Sequence, residues 1–417
     1  MNNTNLQKYA DIIIEAGLNL TTNQCLYISC AIDNYDFALM TAEAAYKKGA
    51  RFVDIAISGS RLQRIRALNS DKDYLSFIPN YGTMRSIEHI ADKWGFLRID
   101  NTEESDMLSD VDSNTIQTII TAERNAVKLF SQEMTNMSIP WCIAAAPGRK
   151  WADKIFGSNQ PDNYNNLSNA LMKILRLDNG NSQNNPGANP VETWKIHGGK
   201  LKERAIKLTG FNLDKIVFAA EGTVLEVGLI PGGKFNGGLC RLPDGREFIP
   251  NIPTEEVFTT PDYRRTNGRA KITRPVKVLE KTVKGAWFEF KDGKVINFGA
   301  DENRDVLEKY FSIDEGAPYL GEIALVDSSS PIFESGLVFN SILYDENAAC
   351  HMALGNGLSS CLPADVNSRD KEEMKKRGCN ISLVHTDFMI GTSNINAAGY
   401  TKSGERIEIL RDGKFVI

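Results

Sequence analysis

The spacing of apolar positions changes along the chain. Over residues 5–17 they recur with helical period, and the run stops at Gly17, which predicts an amphipathic helix. Cys25–Cys30 is a short apolar run and reads as a buried strand. Residues 35–49, rich in Ala and other helix formers, read as a helix ending at Gly49, and Arg51–Ser58 as a second strand. Strand, helix and strand at this spacing make a βαβ unit. Further strands are expected at Phe96–Asp100 and Ile139–Pro147, with one long helical stretch over 114–136 between them. Strands this continuously apolar belong in a sheet covered on both faces. The first half is therefore expected to be an α/β domain with a mainly parallel, doubly wound sheet.

The pattern breaks between Asp178 and Pro190, where five Asn, two Gly and two Pro mark an exposed loop or linker. Asn189-Pro190 then looks like an N-cap followed by proline at the first helical position, opening a helix through Trp194 and His197 towards Leu208. The expected domains are 1–186 and 187–417. In the second, Ile216–Ala220 and Val224–Ile230 read as strands, and Asp-Gly pairs inside 288–298 and 411–417 read as hairpins. Helical stretches are expected at 302–312, 345–355 and 369–377, giving a mixed α+β domain.

Composition narrows the function. A chain of 417 residues fits two domains. Its 48 Lys and Arg against 53 Asp and Glu give a net charge of −5, which argues against a nucleic-acid binder that neutralises phosphates. No run is apolar and long enough to span a membrane, and the first residues lack the pattern of a signal peptide. The seven cysteines are odd in number and form no Cys-x-x-Cys. Reduced thiols in a cytoplasmic protein are the expectation.

The glycine-rich segment Pro231–Gly238 matches neither nucleotide-binding motif, and a turn between strands is its plain reading. A nucleotide-dependent enzyme would need a phosphate loop after the first strand, yet residues 30–36 contain no glycine. More informative are Glu255 and Glu256, adjacent carboxylates between Pro253 and Pro261, which alone would read as a solvated turn. Glu322 lies inside the apolar run Leu320–Val326, where an unpaired Glu is unusual. His351 follows Asp345, read as a helix N-cap, and would sit on the second turn. His385 and Asp387 interrupt the apolar strand Leu383–Ile390 and share one face of it. Each alone reads more simply as a satisfied core group. Together, two imidazoles and three carboxylates suit borderline divalent ions such as zinc, cobalt or manganese. Five such groups exceed the needs of one catalytic zinc and are enough for a pair.

At these residues the chain resembles a known family. The segments Asn251–Pro261, Asp345–His351 and Arg377–Gly391 are similar to the thermophilic metalloaminopeptidases of the aminopeptidase T and aminopeptidase S type. The likeness is specific over 215–417 and weaker before it. It implies a catalytic C-terminal domain holding two divalent metal ions per chain (Zn, Co or Mn) through Glu256, Glu322, His351, His385 and Asp387. It also implies a homodimer whose active sites face an internal chamber, and removal of N-terminal residues from peptides with a free N-terminus by a two-metal-activated water. Glu255 is the candidate general base, with a carboxylate beside the site or at the surface as the alternative, since neighbours on an extended segment point to opposite faces. The family's tyrosine seven residues after the first histidine is Leu358 here. A leucine offers neither a ligand nor a hydrogen bond, which keeps open a second reading: a metal-poor dimeric scaffold or peptide-binding descendant.

The remaining candidates have structural readings. His197 could reach the site or a dimer contact, or be structural; His89 reads as surface. Arg264-Arg265 could bind a substrate carboxylate or serve as salt-bridge donors. Cys350 has no basic partner by sequence and is not taken as a nucleophile.

Overall fold

The computed structural model describes residues 1–104, 106–158, 160–178 and 189–417. The Asn-rich segment expected as a linker lies, over 179–188, outside the described residues. The chain divides into two compact units, Met1–His197 with Leu239–Pro253, and Gly198–Gly238 with Thr254–Ile417.

The first unit is built on four parallel strands: β1 (Cys25–Cys30), β2 (Phe52–Ile57), β3 (Gly95–Ile99) and β4 (Trp141–Ala144). They are ordered β2-β1-β3-β4. The chain steps outward from β1 to β2 and then returns to the other side of β1 for β3 and β4, which is the signature of a doubly wound sheet. Leu26, Ile28, Leu97 and Cys142 are fully buried in it. The helical stretch after β3 is two helices, Ser113–Ala126 and Lys128–Thr135, broken where Val127 leaves the helical region. His89 is a correction: it is buried, not a surface group, and its ring packs against Tyr27 and Trp94 at centroid distances of 4.7 and 4.5 Å.

At the carboxyl ends of these strands, two neighbouring carboxylates take up helix N-termini. Glu104 accepts the Ser60 N–H at 2.8 Å and pairs with Arg61 at 2.6 Å. Glu103 accepts the Lys150 and Trp151 N–H groups at 3.1 and 2.8 Å. Open α/β sheets bind phosphates with such N–H groups; here the protein's own side chains use them.

As expected, Asn189 caps the helix Pro190–Gly210: its Oδ1 accepts the Val191 N–H at 2.9 Å. Beyond it the strands of the second unit's two larger sheets are β5 (Leu213–Ala220), β6 (Thr223–Leu229), β7 (Glu256–Thr259), β8 (Pro261–Lys271), β9 (Trp287–Lys291), β10 (Lys294–Gly299), β11 (Leu320–Val326), β12 (His351–Gly355), β13 (His385–Met389), β14 (Asn396–Thr401), β15 (Arg406–Arg411) and β16 (Lys414–Phe415). Eight form an antiparallel sheet ordered β10-β9-β8-β6-β5-β14-β15-β16, and four form a second, ordered β13-β12-β11-β7. The Asp-Gly hairpins join β9 to β10 and β15 to β16. The two sheets share one core, in which Phe288 of β9 meets Phe388 of β13 edge-on at 5.0 Å.

Candidate metal centre

The smaller sheet has one apolar and one polar face because side chains alternate along each strand. Val257, Ile323, Leu325, Met352, Leu354 and Phe388 point into the core. The alternate positions carry Glu256, Glu322, His351, His385 and Asp387 to the opposite face. Register gathers them: Glu256 pairs with Val326, His351 with Ala324, Asp387 with Ala353 and His385 with Gly355. The cross-strand neighbours are small, which leaves room for the polar groups. Gly355 has φ +108°, and a Cβ there would lie 2.1 Å from the Val384 carbonyl oxygen, so the close approach requires glycine.

His351 Nε2 lies 3.2 Å from Glu256 Oε2 and 4.0 Å from Asp387 Oδ1. His385 Nε2 lies 3.2 Å from Glu322 Oε2 and 3.5 Å from Asp387 Oδ1. Two groups of three result, each with its donor atoms within 4.8 Å of one another: Glu256, Glu322 and His351, and Glu322, His385 and Asp387. Glu322 belongs to both.

The imidazoles are oriented from behind. His351 Nδ1 faces the Ala349 carbonyl at 3.2 Å and His385 Nδ1 the Asn356 carbonyl at 2.7 Å. A carbonyl only accepts, so each Nδ1 donates and each Nε2 is turned towards the carboxylates. The charges of the site shift one another. Burial alone would lower the His351 pKa, but Glu256, Asp387 and Glu322 outweigh it and hold it up at about 10. His385 is likewise raised against its burial, mainly by Asp387 and Glu322. Burial raises Glu322, whereas the two histidines overcome burial and lower Asp387. Glu256 Oε2 is buried and faces His351 Nε2 at 3.2 Å. Buried carboxylate oxygens beside inward-turned imidazole nitrogens make a donor set that fits divalent cations.

Comparison with known proteins shows the family of the whole chain. Residues 2–415 match the model of the thermophilic metalloprotease (M29) family. The chain belongs to that family. This metalloprotease is 32% identical to Aminopeptidase 2 of Geobacillus stearothermophilus, over 98% of this chain and 97% of that protein. It is 31% identical to Aminopeptidase T of Thermus aquaticus, over 99% and 98% respectively. A solved structure, wild-type AmpT from Thermus thermophilus, superposes with a TM-score of 0.89 at 29% identity, covering 99% of each chain.

Two sequence expectations for the metalloprotease are corrected. His351 is not on a helix: the helical segment is short (Ile342–Asp345 and a 3-10 turn Glu346–Ala348), Ala349 is extended, and His351 opens β12. Glu255 and Glu256 are not in a solvated turn; both are buried. The Glu255 N–H donates to Asn347 Oδ1 at 2.7 Å, and the half-buried guanidinium of Arg204 feels the charge of Asp327 first and of Glu255 second.

The helical misreading also hid a residue. Positions 346 and 351 would lie about 140° apart on a helix, which separates Glu346 from the site. In the structure Glu346 is raised well above the usual carboxylate range, by burial first and then by Asp387 and Glu256. The charges of His351 and Glu322 act on it too. Its signal in the sequence was its place in the acidic segment that ends in His351.

The other candidates have structural partners. Arg264 grips Asp262 through Nε and Nη2, both at 2.8 Å, and Arg265 pairs with Asp214 at 2.8 Å. His197 lies edge-on to Trp194 at 5.5 Å and 3.3 Å from the Arg176 guanidinium. Burial pushes the Cys350 thiol up to about 12, and it donates to the Val326 carbonyl, so it is no nucleophile. Leu358 is fastened by its backbone: its N–H donates to Thr260 Oγ1 at 2.7 Å, and its carbonyl accepts from the same hydroxyl at 3.1 Å.

Proposed function

We propose that this protein is an aminopeptidase that removes N-terminal residues from peptides, using two divalent ions held by Glu256, Glu322, His351, His385 and Asp387. The observation that carries the reading is the double membership of Glu322 in both groups of three donors. A carboxylate with two oxygens can serve one ion with each, which is how a paired site is built. Glu346, half-buried in the turn before His351 and held above the usual carboxylate range by burial and by Asp387 and Glu256, is proposed to lie near these donors. The aminopeptidase names of the relatives support the same substrate class.

When bound, such ions supply Lewis-acid polarisation of the scissile carbonyl and a lowered pKa for the attacking water. The chain's own groups do the rest. Ala349 and Asn356 hold the histidine tautomers through their carbonyls. Glu255 remains the proposed general base. A metal-binding catalytic domain at 187–417, zinc, cobalt or manganese as the ion, a homodimer and a cytoplasmic setting complete the reading. None of the seven cysteines forms a disulfide, which supports a reducing compartment. No helix among the described residues is long and apolar enough to cross a membrane.

The test is elemental metal content of the purified protein together with hydrolysis of Leu-p-nitroanilide before and after chelation. Two ions per chain and chelator-sensitive cleavage are expected. Cleavage that persists in metal-free protein would overturn the reading.

A further inference from the structure

Asn347 is fully buried between Glu346 and His351, yet neither the family resemblance nor the donor set uses it. Its side chain makes three contacts. Oδ1 accepts the Glu255 N–H at 2.7 Å. Nδ2 donates to the Leu343 carbonyl at 2.9 Å and reaches Glu346 Oε1 at 3.4 Å. Its backbone carbonyl accepts from the Ser330 hydroxyl at 3.1 Å. An amide buried in this way joins two segments that are remote in sequence. One enters β7 with Glu256 as its first residue; the other is the turn that carries Glu346 and leads to His351.

We propose that Asn347 is a positioning residue of the paired metal site: its amide fixes the Glu255–Glu256 segment against the Glu346 turn and aims the Glu346 carboxylate. This rests on the two-ion reading above. The chemistry is selective for an amide. The backbone N–H at 255 needs an acceptor, while the Leu343 carbonyl and the Glu346 carboxylate need a donor. Only a group carrying both on one planar unit serves all three at once. An aliphatic side chain would leave the 255 N–H buried and unmet, and the segment would move to find a partner. A ligand shifted by a fraction of an ångström loses affinity without loss of the fold.

The test uses the full chain and zinc alone, in competition with a chromophoric chelator. Wild type is expected to bind two zinc ions. Asn347→Ala is expected to weaken at least one of them by roughly 10–100-fold, with a native circular-dichroism spectrum and a fall in kcat at little-changed KM. Asn347→Asp keeps the acceptor for the 255 N–H, so it guards against a variant that fails to fold. It replaces the donor to the Leu343 carbonyl and to Glu346 with an acceptor and is expected to lose kcat at least fivefold. A lowered Tm with wild-type zinc affinity and wild-type kcat in both variants would reduce Asn347 to a packing residue and overturn the proposal. A wild type that binds no zinc, cobalt or manganese would instead remove the two-ion reading beneath it.

Discussion

Ala353 lies directly across from Asp387 in the ladder between β12 and β13, and the same alanine faces Glu322 on its other flank. The smallest side chain of the polar face thus stands between two of the proposed ligands. Ala353→Leu would place an isobutyl group where cations are proposed to sit. Overpacking costs about 1–3 kcal/mol, which a chain of this size tolerates. The variant is expected to fold and to bind fewer than one zinc per chain by mass spectrometry, with no measurable peptide cleavage. A variant that kept two ions would contradict the proposed position of the site.

Glu322 and Glu256 differ in how many ions each would serve. Glu322→Gln is expected to empty both positions. Glu256→Gln should leave the group built from Glu322, His385 and Asp387 with its ion, while its partner weakens by roughly 10–100-fold. Titration with cobalt, followed by its visible absorption, would separate one-ion from two-ion behaviour. Equal loss in both variants would argue against a shared carboxylate.

Leu358→Tyr restores a hydroxyl at the position where the resemblance expects one. The Leu358 backbone is held by Thr260 at 2.7 and 3.1 Å, so the substitution changes the side chain on a fixed support. If the hydroxyl aids the reaction, kcat for Leu-p-nitroanilide should rise roughly tenfold or more, within the range of one well-placed hydrogen-bond donor. No change would mean that the chain has accommodated the leucine.

His89 gives the first unit a pH-dependent stability. Burial, with help from Arg85, holds its pKa down at about 4, against an ordinary value of 6.5. The unfolded chain therefore takes up a proton that the native chain refuses. The contribution is complete above pH 6.5 and is lost as pH falls towards 4, at most about 3 kcal/mol. His89→Phe, which retains the packing against Tyr27 and Trp94, should flatten this part of the profile. Urea midpoints at pH 7 and pH 4.5 for both proteins would show it; parallel profiles would sink the idea.

Thiol chemistry offers a simple check on burial. Six of the seven cysteines are buried, and only Cys240 is partly accessible. Burial also pushes Cys350, Cys361 and Cys379 up to about 12. Iodoacetamide at pH 8 is expected to label Cys240 in the native protein and to leave peptide cleavage intact. Labelling of Cys350 without unfolding would contradict its position behind β12.

The sequence by itself determined the parallel sheet of the first half, because its strands are short apolar runs separated by helical periods and closed by glycines. It also determined that His385 and Asp387 share a face, since a strand repeats every second residue. Three things were decided only by tertiary structure. β8 is eleven residues long yet reads Pro-Asp-Tyr-Arg-Arg-Thr-Asn-Gly-Arg-Ala-Lys; its strand conformation comes from pairing with β6 and β9, not from an apolar pattern. His89 is polar in sequence and buried in fact, because an aromatic cluster receives its neutral ring. And the placement of His351 was decided because the segment before it stops being a helix after a single short turn, Ala349 is extended, and His351 opens β12. Cross-strand register, a long-range property that no local pattern encodes, then brings it to the face that carries Glu256, Glu322 and Asp387.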